Sequence, residues 1–217
     1  MINLNSKEKN LINIIKTGPT LTYMLITINV LVYLIVGFVS FYYYKGSIIE
    51  IDNRALVMLG AMVNILVEEG QYYRLFTCAF LHSSIIHLAL NMYALNSLGS
   101  ILEKILSKGK LLTIYIVSAI LASYGSYLST RSVYKVSISV GASGAIFGLL
   151  GALLVIAFLN RKVIGKALLK SVIEVVIVNI IIGFLIPNID NVAHVSGLIV
   201  GIIITYIILR YPRLKQK

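Results

Sequence analysis

Ser143 stands in the run GASGAIFGLLGA, residues 141–152, where glycines fence a hydroxyl at the start of an otherwise apolar stretch. A serine hydroxyl is a weak nucleophile until a base takes its proton, and histidine is the usual base. The chain has three histidines, His82, His87 and His194. His87 and Asn91 are four residues apart, so on a helix they share one face. An Asn amide and a ring N–H are donor types that stabilise a developing oxyanion. The backbone N–H of Ser143 joins them if Ser143 opens a helix, because the first N–H groups of a helix lack intrahelical partners. This chemistry requires Ser143, His194 and the His87/Asn91 pair to meet in space, although they are dispersed over more than 100 residues of chain.

The elements that must bring them together are membrane spans. The 217 residues are 59% hydrophobic and 12% charged, with a mean hydropathy of +0.93. That is too apolar for the surface of a soluble domain and predicts a polytopic, all-α membrane protein. The net charge of +11 is divided into short clusters between apolar runs, which excludes a nucleic-acid-binding surface. A single cysteine, Cys78, rules out an internal disulfide and a cysteine-based zinc site. Six runs approach the roughly 20 residues a spanning helix requires. They lie near residues 21–43, 80–102, 111–129, 143–160, 168–186 and 192–209. Pro19, Pro187 and Pro212 stand at their ends. The long 44–79 connection mixes charged residues with apolar pieces such as ALVMLGAMVNILV and reads as a structured loop with short interfacial helices. Tyr42, Tyr43 and Tyr44 read as an interfacial aromatic belt. The organisation is a lead-in over 1–20, one membrane domain over 21–210 and a basic tail over 211–217. MINLNSKEKNLINIIKTGPT at the N-terminus carries no apolar core with a small-residue cleavage site, so no removable signal peptide is expected.

Lys and Arg set the orientation. With the N-terminus inside, fourteen of the nineteen fall in inner segments and five in outer loops. Both termini are then cytoplasmic, and segments two, four and six run from outside to inside. His82, His87 and Asn91 in segment two, Ser143 at the head of segment four and His194 near the head of segment six all fall in one layer toward the outer face. Ionisable groups at membrane depth are expensive and point to function. Segment four carries Gly144, Gly148, Gly151 and Ala152, and segment six carries Gly197 and Gly201. Small residues at four-residue spacing let helix backbones approach closely in lipid. If these faces meet, Ser143 and His194 come within reach of each other.

Plainer readings exist for each residue. A serine in a glycine-rich helix is commonly a packing residue, and only the company of His194, His87 and Asn91 lifts Ser143 above that. His82 and His87, five apart, point away from each other on a regular helix, and His82 reads as hydrogen-bonding a loop carbonyl or orienting a neighbour. Glu174 stands four residues after Lys170 and reads as half of a local ion pair. Two other classes fit parts of the pattern. One is a metal hydrolase using His82, His87 and His194, which chelators would reveal; it lacks an H-E-x-x-H motif. The other is a transporter or non-catalytic scaffold; no internal repeat or broken helix supports the former. G-A-S-G-A is also not the soluble hydrolase elbow, because Ala145 replaces its last glycine.

HSSIIHLALN, GASG and AHVSG, with QYYRLFTCAFLH before them, resemble the rhomboid family of intramembrane serine proteases in order and spacing from about residue 21 to 210. The resemblance implies a six-helix bundle with a large structured first outer loop and a catalytic dyad of Ser143 and His194. It implies oxyanion contacts from His87, Asn91 and the Ser143 backbone, with no third acidic member; Asp190 falls in the short loop before segment six. Gly141, Gly144, Phe147, Gly197, Gly201, His82 and Arg74 take supporting places. Two departures stand out: Tyr73 precedes Arg74 where the family often has Trp, and Phe147 lacks a phenolic hydroxyl, so it can orient the histidine by contact only. The implied substrates are transmembrane proteins in the bilayer, with no metal or organic cofactor, and the implied home is a bacterial cytoplasmic membrane with the site facing outward.

Overall fold

The computed structural model describes residues 18–131, 136–162, 166–186 and 189–211. Most of the lead-in (1–17) and of the basic tail (212–217) lies outside the described residues, as do Pro187 and Pro212. Among the described residues the fold is all-α apart from one short strand pair and an isolated bridge between Glu50 and Ser84. Helix α1 covers Thr20–Tyr44. The connection to the next long helix holds α2 (Asn53–Met58), strand β1 (Met62–Val63), α3 (Asn64–Glu68), α4 (Arg74–Thr77) and a 3-10 turn over Cys78–Phe80. Then come α5 (Ile85–Ile105), α6 (Lys108–Thr130), β2 (Ile138–Ser139), α7 (Ser143–Leu159), α8 (Lys166–Leu185) and α9 (Asn191–Arg210).

Among the described residues five helices, α1, α5, α6, α8 and α9, are long and apolar enough to cross a membrane. The fourth expected span, α7, is a shorter apolar helix of 17 residues, about 25 Å long. Its place explains its composition. It is apolar around its whole circumference, and Gly144 to Ala152 are all buried. A helix without a polar face belongs inside a bundle. Helices α6 and α9 pack against it and against each other, α5 closes another side, and α8 lies more lightly on α7 and α9. Helix α8 accordingly buries only Val172, Val176 and Gly183. Its Lys170 and Glu174 form the expected i,i+4 ion pair at 3.7 Å, exposed and of small energetic weight.

The second span starts later than its hydropathy suggests. Ser84 caps α5 by accepting the His87 N–H at 3.1 Å, and residues 81–84 run extended beside the first loop. There Ile51 N–H donates to Ser83 O at 2.9 Å and Ile85 N–H to Ile49 O at 3.0 Å. Serine competes with the helix for its own backbone groups and so favours the cap over the interior.

The 45–84 connection is a folded unit. Arg74, 5% exposed, braces it by donating from Nη1 to Val57 O at 2.8 Å and Ala61 O at 2.9 Å, and from Nε to Gln71 Oε1 at 2.7 Å. Strand β1 pairs antiparallel with β2, Met62 opposite Ser139 and Val63 opposite Ile138. The first loop is thereby tied to the segment that leads into Ser143. At the other end of the bundle, Glu103 of α5 accepts the Leu21 and Thr22 N–H groups at 2.9 and 2.8 Å, capping α1 from a different helix.

Candidate active site

The segment before α7 turns sharply. Gly141 has φ +123°, a region that favours glycine. Its N–H donates to Cys78 O at 3.0 Å, and two residues later Ser143 begins the helix. A side chain could not replace this glycine for a second reason. A Cβ there would lie 2.7 Å from His87 Nε2 and 3.7 Å from Asn91 Nδ2. The two side chains that share a face of α5 therefore converge on the turn that presents Ser143. Asn91 is buried. His87 Nδ1 lies 3.2 Å from Ser83 Oγ.

Helix α9 reaches the same layer through backbone contact. A Cβ on Gly197 would overlap the Gly144 carbonyl oxygen, and one on Gly201 would overlap that of Gly148. A Cβ on Gly151 would sit 2.5 Å from Leu198 O. The small-residue faces read from the sequence are the faces that meet, with no side chain between them at Gly197 and Gly201. The other side of α7 rests on α6, with Ala122 against Gly144 and Ser118 against Gly148. This contact places His194 beside the first turn of α7. Its ring stacks on Phe147, centroids 4.2 Å apart and planes 13° from parallel. Phe147 is one helical turn beyond Ser143. The buried Nδ1 of His194 has no hydrogen-bond partner, so no carboxylate holds the ring. Ser143 Oγ and His194 make no hydrogen bond to each other in this arrangement, and such bonds often tighten only once substrate is bound.

The placement of His82 relative to His87 differs from the regular-helix expectation. Because α5 begins at Ile85, His82 is not on the helix that carries His87, and the five-residue argument for divergence does not apply. The two rings meet edge to face with centroids 5.0 Å apart, and His82 is fully buried. Among the described residues, no group of three or more His, Cys, Asp or Glu side chains is placed to hold a metal ion. Arg74 lies in the first loop, where it acts on loop structure. Three polar residues carried no motif in the sequence reading: Asp190, Ser126 and Ser139 are joined by hydrogen bonds close to this layer. A helix-start pattern at Asp190 is the one local signal among them.

The structure is that of a multi-pass helical membrane protein in which the half-buried Ser143 opens a central helix, His194 stacks on Phe147 from one neighbouring helix, and His87 and Asn91 converge from another. The Rhomboid domain family matches residues 69–211, two thirds of the sequence. The chain belongs to the rhomboid family. It is 38% identical over 183 residues to rhomboid protease GluP of Bacillus subtilis (strain 168), covering 84% of this chain and 34% of that protein. It is 36% identical over 157 residues to RHOMBOID-like protein 5 of Arabidopsis thaliana, covering 71% of this chain and 50% of that one. With the putatively assigned rhomboid protease YdcA of Bacillus subtilis (strain 168) it shares 32% identity over 144 residues, 66% of this chain and 71% of that protein. The chain thus spans about a third of the length of the first relative and half of the second.

Proposed function

We propose that this chain is an intramembrane serine endopeptidase that cuts peptide bonds within or beside transmembrane segments of other membrane proteins. The observation that carries the reading is the backbone contact of α7 with α9, which sets the Phe147–His194 stack one turn from Ser143. GluP, which is named a rhomboid protease, supports it. In this mechanism Ser143 Oγ attacks the scissile carbonyl carbon while His194 takes the hydroxyl proton. The carbonyl oxygen becomes an oxyanion that accepts hydrogen bonds from the Asn91 amide, the His87 ring and the Ser143 backbone N–H. Collapse of the intermediate breaks the C–N bond, and the amine leaves with the proton held by His194. Water, deprotonated by His194, then hydrolyses the acyl-serine ester and frees the hydroxyl. In this mechanism Ser83 donates to His87 Nδ1 in the tautomer whose ring proton is on Nε2, the atom directed at Gly141, and that tautomer is the one able to donate to the oxyanion. Phe147 orients His194 by stacking alone, in place of the hydrogen bond that a carboxylate supplies in a triad.

The reaction needs water but no metal or organic cofactor. The substrate segment must unwind to expose its bond, entering near α8 and the loop before α9. The fourteen-to-five division of Lys and Arg supports cytoplasmic termini and a site toward the outer face of a bacterial cytoplasmic membrane. The decisive experiment compares wild type with Ser143→Ala on a test transmembrane substrate in proteoliposomes. Wild type should cut, the variant should not, and a fluorophosphonate should label Ser143 in the wild type alone. Substantial cutting by a folded Ser143→Ala, or loss of wild-type activity to a chelator with rescue by zinc, rejects the serine mechanism.

A further inference from the structure

Asp190 gathers three segments on one carboxylate. Oδ1 accepts the Ala193 N–H at 2.9 Å, capping α9, the helix that carries His194. Its backbone oxygen accepts the N–H of His194 itself at 3.1 Å. Oδ2 accepts the Ser126 hydroxyl of α6 at 2.5 Å and the Ser139 hydroxyl of β2 at 2.6 Å. Ser139 lies four residues before Ser143, and its strand is pinned on its other side by Met62 of β1. Ser126 follows Gly125, where a Cβ would strike the side chain of Ser196 on α9. One charged group therefore ties the strand leading to the nucleophile, the helix behind it and the first turn of the helix bearing the base. The donors come from positions 51 and 64 residues away in sequence.

We propose that Asp190 is a positioning residue that sets the distance between Ser143 and His194 by bridging Ser139 and Ser126 to the start of α9. The proposal rests on the Ser143–His194 dyad of the preceding section. It assigns Asp190 no part in proton transfer: the three hydrogen bonds of its carboxylate come from Ser126, Ser139 and Ala193, and His194 Nδ1 is without a partner. The glycine contacts bring the two helices together. They resist overlap but do not define how far α9 slides along its axis or how its first turn is aimed, because a smooth backbone contact has no directional bond. The carboxylate supplies that direction, since hydrogen bonds weaken steeply as their angles open. The magnitude at stake is large, because a displacement of about 1 Å in a reacting pair can cost about 100-fold in rate.

The test uses the full chain in proteoliposomes with a test transmembrane substrate. It compares Asp190→Asn, Asp190→Ala, Ser139→Ala, Ser126→Ala and the Asp190→Ala/Ser139→Ala pair. Readouts are kcat, KM, the rate of fluorophosphonate labelling of Ser143 and the melting temperature. Asp190→Ala should lower kcat about 10- to 100-fold with KM within about twofold. Labelling should slow in parallel, at temperatures well below melting. Asp190→Asn should fall between, because its amide oxygen keeps the cap while its N–H₂ faces hydroxyls that need an acceptor. Adding Ser139→Ala to Asp190→Ala should cost nothing more, because the hydroxyl has already lost its acceptor. Unchanged kcat and labelling in Asp190→Asn and Asp190→Ala would overturn the proposal. So would a loss that disappears when the assay is cooled into the fully folded range, or losses at Asp190 and Ser139 that multiply independently. A failure of the dyad is separately visible, since folded Ser143→Ala would then still cut whatever Asp190 does.

Discussion

Gly201→Ala adds one methyl group and tests the geometry on which the site depends. A Cβ at this position would lie 2.6 Å from both the Cα and the carbonyl carbon of Gly148, and closer still to its oxygen. Carbon atoms pack at about 3.5 Å or more, so α9 must retreat by about 1 Å. Both sides of the contact are backbone, so no side chain can swing away to absorb the strain. If α9 translates as a body, His194 moves the full distance and kcat falls about 100-fold. If instead it tilts about its cap at Asp190, the lever arms decide. Gly201 is about 16 Å from that pivot and His194 about 6 Å, so His194 moves about 0.4 Å. Taking the loss as logarithmic in displacement, kcat then falls about five- to tenfold. Overpacking should also lower stability by about 1–3 kcal/mol. The assay is kcat and KM on a transmembrane substrate in proteoliposomes, with a melting curve on the same preparation. A Gly201→Ala protein with wild-type kcat and wild-type melting would refute the close approach of α7 and α9, and with it the structural basis for pairing His194 with Ser143.

His194→Ala should be about as damaging as Ser143→Ala, and the double variant should cost little more than either, because base and nucleophile act as one unit; multiplying losses would reject the dyad. Asn91→Ala should lower kcat about 100-fold and leave KM nearly unchanged, the pattern of a lost oxyanion donor. Phe147→Ala should lower kcat about two- to tenfold through loss of the His194 stack, while Phe147→Tyr, which keeps the stack, should stay within about twofold of wild type. Arg74→Ala should lower the melting temperature by removing three hydrogen bonds from a buried guanidinium, at about 2–4 kcal/mol, and Arg74→Lys should restore only part of it because an ammonium lacks the planar fork.

What the sequence alone determined about this protein is whatever repeats locally. Apolar runs of spanning length located the long helices to within a few residues at most ends, because exclusion from water acts on each segment separately. The four-residue spacing of Gly197 and Gly201, and of Gly144 and Gly148, identified the faces that meet, because a helix presents such positions in one stripe. The layer shared by Ser143, His87, Asn91 and His194 followed from topology and charge. Tertiary structure decided the rest. Hydropathy carried the second span back to residue 80, whereas Ser84 and the first loop's hydrogen bonds to Ser83 and Ile85 start α5 at Ile85 and turn His82 toward His87. The pairing of β1 with β2, the Glu103 cap on α1 and the two hydroxyl donors on Asp190 likewise have no local signature. Each joins backbone or side-chain groups of segments that are remote in sequence. A hydroxyl at Ser126 or Ser139 looks like any other until the fold brings its acceptor within reach. Periodicity reports which face of an element is buried; directional hydrogen bonds between elements report which atoms meet, and those exist only once the chain has folded.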